Sequence, residues 1–119
     1  MSTVDLDVVQ EPVTAAEVAI YTASTASNFQ SAKITGGLCT NFSSTDTELT
    51  INVVQSAGSA ATTNRYQPPR VMFAGQTDLL NSIAGSGLTL KAGDSIVTLA
   101  SIASNLSVKL SIVEKYSDT

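Results

Sequence analysis

The side chains that could carry chemistry are few. The 119-residue chain has ten carboxylates, six Lys and Arg together, one cysteine and no histidine. Without histidine there is no Ser-His-Asp or Cys-His arrangement, and the commonest general base is missing. One thiol without an imidazole cannot assemble the ligand set of a zinc site. Carboxylate pairs remain. Asp5 with Asp7, and Asp46 with Glu48, stand two apart, so on a strand each pair would share one face. Such a pair could share a proton or hold calcium, but both lie in polar segments where solvated carboxylates are the ordinary state. Gly85-Ser86-Gly87 lacks the spacing and following helix of a dinucleotide loop, and there is no Walker pattern. Asn41-Phe42-Ser43 and Asn105-Leu106-Ser107 match the glycosylation sequon, as chance allows in a Ser-rich chain. Cys39, in Leu38-Cys39-Thr40, is expected to be a small buried apolar residue. No enzyme, cofactor or metal is expected.

What the chain offers instead is contact chemistry. Arg65, Tyr66 and Arg70 bracket Pro68 and Pro69. Arg and Tyr are enriched at binding hot spots, and prolines reduce the entropy a loop loses on docking. Near the N-terminus Val4, Leu6 and Val8 alternate, a pattern that suits a strand added to a neighbour's sheet edge. Val4, Leu6, Val8, Arg65, Tyr66, Pro68, Pro69 and Arg70 are the expected partner contacts.

Those residues need elements to position them, and the strongest element signal is Leu88–Tyr116. Leu88 and Leu90, then Ile96, then Leu106, Val108, Leu110 and Ile112 alternate with small polar residues, the mark of half-buried strands. Lys91-Ala92-Gly93-Asp94 interrupts with turn chemistry, and Ser101–Asn105 makes a second break, which predicts a meander. Charged residues are only 13 % and Ser and Thr fill the gap, which suits strands over exposed helices. A net charge of −4 with scattered basic residues argues against nucleic acid. No apolar run approaches the roughly 18 residues of a membrane-spanning helix, and no signal peptide is recognisable.

In chain order, residues 1–16 read as an extended arm, 17–116 as one domain and 117–119 as a polar tail. Glu17–Thr22 predicts a strand. Ala32–Phe42 predicts another, anchored by Ile34, Leu38 and Phe42, with a bulge at Gly36-Gly37. Leu49–Val53 alternates cleanly. Gln55–Arg70 is long for a connector, which points to function. Val71–Ala74 is a short strand, and Thr77–Ala84 spaces Leu79, Leu80 and Ile83 for one or two helical turns. The expected fold is all-β: an antiparallel β-sandwich or jelly roll of about seven or eight short strands, with at most one short helix.

Leu88-Thr89-Leu90-Lys91-Ala92-Gly93-Asp94-Ser95-Ile96, followed by a short alternating strand and Ala103–Glu114, resembles the C-terminal half of small structural proteins of tailed bacteriophages. Ile20-Tyr21-Thr22, Leu38-Cys39-Thr40-Asn41 and Leu49–Val53 extend the resemblance over residues 17–116. It implies a virion component without catalytic residues: a capsid decoration or cement protein, often trimeric, that stabilises the major capsid protein shell, or else a neck, tail or fibre component. A carbohydrate-binding β-sandwich is the rival from another class. Against it stand the absence of Trp and an aromatic content of 5 %.

Overall fold

The period-two pattern is realised as extended chain. A computed structural model describes residues 2–10, 13, 15–56, 58, 65, 69–80 and 88–117. Among them are nine strands: β1 (Ser2–Gln10), β2 (Val18–Thr22), β3 (Phe29–Asn41), β4 (Thr47–Val54), β5 (Arg70–Met72), β6 (Thr77–Leu79), β7 (Thr89–Leu90), β8 (Ser95–Ala100) and β9 (Leu106–Tyr116). One sheet runs β1-β9-β3-β6, with β7 also on β3; the other runs β2-β8-β4-β5. Every pairing is antiparallel. β1 pairs with β9, β2 with β8, β3 with β6 and β7, and β4 with β5. The two halves of the chain therefore pair in nested order, as though one long hairpin were rolled up. That is a jelly roll, two sheets face to face, which fits the expected all-β sandwich.

Leu49, Ile51, Ile96, Ala100, Leu106, Val108, Leu110 and Ile112 line the space between the sheets, together with Ala32, Ile34 and Cys39 of β3. β9 follows the sequence pattern closely: Leu106, Val108, Leu110 and Ile112 are buried, while Ser107, Lys109 and Ser111 face outward. Leu88–Tyr116 is nevertheless no meander. β7 and β9 belong to one sheet and β8 to the other, so the turn at Lys91–Asp94 and the loop Ser101–Asn105 cross the sandwich. Crossing at each turn lets every strand bury its apolar face against the opposite layer. The first crossing uses the expected turn chemistry. Gly93 takes φ +81°, and Asp94 accepts the backbone N–H of Lys91 at 3.0 Å and of Ser56 at 3.2 Å.

β3 corrects a second expectation. Its pairing with β9 slips between Ile34 and Gly36, so an extra residue stands there. A slip of one residue reverses which side chains face the core. Ala32 and Ile34 point inward before it, and Cys39 and Asn41 after it. Leu38 is consequently only half-buried and Phe42 is 56 % exposed, so neither is the core anchor that simple alternation predicts. The extra residue is Thr35, one position before the Gly36-Gly37 pair at which the bulge is expected.

Three further segments differ from the sequence-based expectation. Thr77–Leu79 is strand β6, paired with Leu38–Thr40, rather than the start of a helix; the rest of that expected helix, beyond Leu80, lies outside the described residues. Tertiary pairing overrides the local helical spacing there. In β4, Thr50, Asn52 and Val54 are buried as well as Leu49 and Ile51, so this strand is covered on both faces. Ser2–Gln10 is extended but pairs residue by residue with β9 of its own chain. Leu6 and Val8 pack against the core, and Val13 is fully buried and donates its N–H to the Leu106 carbonyl at 2.8 Å.

Candidate interaction surface

The residues expected to contact a partner are dispersed. Val4 is 41 % exposed on β1, at the edge of its sheet. Leu6 and Val8 are half-buried against the core. Arg65 is exposed, and its backbone bridges to Asn52 of β4, which ties the β4–β5 connection to its own sheet. Tyr66 and Pro68 lie outside the described residues, and Pro69 is half-buried. Arg70 is ion-paired with Asp78 and donates to the Leu79 carbonyl at 3.3 Å. Because Arg70 begins β5 and Asp78 lies in β6, this pair joins the two sheets, and the guanidinium is already engaged within the chain.

The buried polar groups are structural. Tyr21 Oη donates to Glu114 Oε2 at 2.5 Å and Tyr116 Oη to Glu114 Oε1 at 3.1 Å. Glu114 is 8 % exposed, and burial together with this carboxyl group raises the Tyr21 hydroxyl far above its ordinary value near 10. A phenol so reluctant to ionise is a hydrogen-bond donor, not an acid. Cys39 is fully buried and burial pushes its thiol up to about 12, so it stays protonated and unreactive. Both sequon asparagines are structural as well. Asn41 is buried and its Nδ2 donates to the carbonyls of Thr45 and Met72 at 2.9 and 2.8 Å. Asn105 Nδ2 donates to Thr47 Oγ1 at 3.0 Å.

These two amides brace one end of the roll, and that end carries the most distinctive surface. Three loops cross from sheet to sheet there side by side: residues 101–105 between β8 and β9, 42–46 between β3 and β4, and 73–76 between β5 and β6. Phe42 N–H donates to the Asn105 carbonyl, Asn41 N–H to the Gln76 carbonyl and Ala74 N–H to Asp46 Oδ1, at 3.1, 2.8 and 2.9 Å. Each loop presents a large apolar side chain to solvent: Ile102 at 43 %, Phe42 at 56 % and Phe73 at 59 % exposure. Val71 of β5 and Leu79 of β6, on the edge strands of the two sheets, are exposed as well. Ser104, in the first of these loops, holds φ +69°, a left-handed conformation uncommon for a non-glycine residue. Exposed large apolar residues carried on adjacent loops make this end the candidate contact surface.

Sequence reasoning missed this ridge. Its signal is an apolar residue set directly against turn chemistry, as in Phe42-Ser43-Ser44, Phe73-Ala74-Gly75 and Ile102-Ala103-Ser104. Strand periodicity assigns such residues to the core, whereas strand termination puts them outside.

The features together define a small all-β jelly roll with an apolar end. No protein-family profile matches the chain, and no curated protein matches it. Among solved structures it is similar to a protein of Bacillus endospore appendages, described as forming a novel family of disulfide-linked pili. The identity is 13 %, the TM-score 0.55, and the match covers 99 % of this chain and 88 % of that one. At that identity the likeness speaks for the fold.

Proposed function

We propose that this chain is a structural building block of a larger assembly, held by surface contact and without catalysis. The observation that carries the proposal is the exposed ridge of Phe42, Phe73 and Ile102, fixed on three loops that polar bonds tie together. Desolvating aromatic side chains on a braced backbone supplies contact energy at low entropy cost. The likeness to a pilus protein supports the same role and suggests an assembly outside the cell or on a surface. That neighbour is disulfide-linked, but here the one cysteine is buried, so copies would be joined without intermolecular disulfides. The experiment is sedimentation velocity on wild type and on Phe42→Ser/Phe73→Ser over a wide concentration range. Multimers formed by the wild type and lost in the variant support the proposal; equal behaviour of the two refutes the role of the ridge.

A finer form of this proposal is the virion one: a decoration protein, trimeric and seated on the major capsid protein, or a neck or tail component. The jelly-roll winding favours it, since that architecture recurs in capsid proteins, and so does the resemblance carried by Leu88–Ile96 and Ala103–Glu114. Cosedimentation with particles lacking the protein would separate this form from a free-standing filament.

A further inference from the structure

The ridge has an acidic rim, and its nearest exposed lysine, Lys109, lies two strands from Leu79 on the outer sheet face. Asp46 and Glu48 are exposed beside it, and Arg70 of β5 is committed to Asp78. Meeting ridge to ridge would set carboxylates against carboxylates. The opposite end of the roll has the complementary character. Lys33 near the start of β3, Lys91 in the β7–β8 turn and Lys115 near the end of β9 are exposed, and among the described residues none is in an ion pair. Lys33 and Lys115 flank Val113 at a shallow cavity of about 310 Å3 on the outer face of the β1-β9-β3 sheet, with Ser31, Thr35 and Thr89 around it. Asp5, beside Val113 on β1, and Asp7, which accepts from Ser111 Oγ, border the other side of β9. Val113 is the one apolar side chain of that lining, and a ring set on it would lie between two ammonium groups, each attracted to a ring face within about 6 Å.

We propose that a second copy of this chain occupies that face: the Phe42–Phe73 ridge of one copy seats on the Lys33–Lys115 face of the next, head to tail. The inference rests on the structural role proposed above and specifies its contact. Two different patches meet, so the contact is heterologous, and it propagates as an open filament or closes as a ring according to the rotation between copies. Asp46 and Glu48 lie where they can face the lysines, which steers the encounter and sets polarity.

Two variants test this, Phe42→Ser/Phe73→Ser and Lys33→Glu/Lys115→Glu. All four positions are exposed, and a thermal melt matching wild type checks that each variant folds. In sedimentation velocity the wild type is expected to form multimers, and each variant alone to lose about tenfold or more in apparent affinity. An equimolar mixture should then give dimers and nothing larger, because one intact ridge meets one intact basic face. A lysine variant that multimerises like the wild type overturns the head-to-tail contact while leaving the structural role standing. A wild type that stays monomeric overturns the head-to-tail contact and, with it, any assembly built from copies of this chain alone.

Discussion

Tyr21 and Glu114 stand 93 residues apart in sequence, yet Tyr21 Oη donates to Glu114 Oε2 at 2.5 Å and so ties β2 of one sheet to β9 of the other. Tyr116 Oη completes the carboxyl group's contacts, and its ring meets Phe29 edge-on at 5.5 Å between centroids. Removing one partner of a buried hydrogen bond leaves the other without compensation. Tyr21→Phe should therefore cost about 1–3 kcal/mol of stability in denaturant unfolding. It should also change the alkaline limb. The folded state raises the Tyr21 hydroxyl above its unfolded value near 10, so its contribution is complete below that pH and is lost as pH climbs past it. Melting temperature against pH should fall less steeply above pH 10 in Tyr21→Phe than in wild type; parallel curves would contradict this.

Cys39 behaves in the same sense. Its thiol, ordinarily near 9, is pushed up to about 12 by burial. A thiol reagent at pH 8 should leave the native protein unlabelled for as long as it stays folded and should label it at once in denaturant. Prompt labelling of the native state would show that Cys39 is accessible.

The N-terminal segment belongs to the fold. Deleting residues 2–13 removes β1 from its pairing with β9, together with the fully buried Val13. Loss of one buried valine-sized side chain alone costs about 1.5–3 kcal/mol, so the truncated chain should melt well below wild type. An unchanged melting temperature would mean that β1 adds nothing to the core.

Val108→Asp should prevent folding, since it places a carboxylate without a partner among the buried apolar side chains between the sheets. Ser107→Asp, on the opposite face of the same strand, should fold with a loss of at most about 1 kcal/mol. Circular dichroism of both variants decides the point; similar spectra and melts would contradict the one-sided burial of β9.

How far the fold was legible depends on the strand. β9 runs straight, so Leu106, Val108, Leu110 and Ile112 announce its buried face directly. In β3 the paired glycines pointed to the bulge, but not to its reversal of facing, which puts Asn41 inside and Phe42 outside. The three-residue strand β6 was hidden because Leu79, Leu80 and Ile83 carry helical spacing, and only pairing with β3 decides against it. The contact ridge was illegible for another reason. Phe42, Phe73 and Ile102 come to one end of the roll only because its topology lays three sheet-crossing loops side by side, and no local pattern encodes that. The expected contact residue Arg70 failed differently: its charge is answered by Asp78 inside the chain.

The central claim is that copies of this chain build an assembly through exposed apolar contact. The most direct measurement is electron microscopy of the concentrated wild-type protein beside Phe42→Ser/Phe73→Ser, prepared without oxidant and with reductant present. The account predicts regular multimers, filaments or rings, in the wild type, indifferent to reductant because Cys39 is buried, and isolated particles of a 12.3 kDa chain in the variant. Isolated particles in both preparations, or multimers that dissolve on addition of reductant, would contradict it.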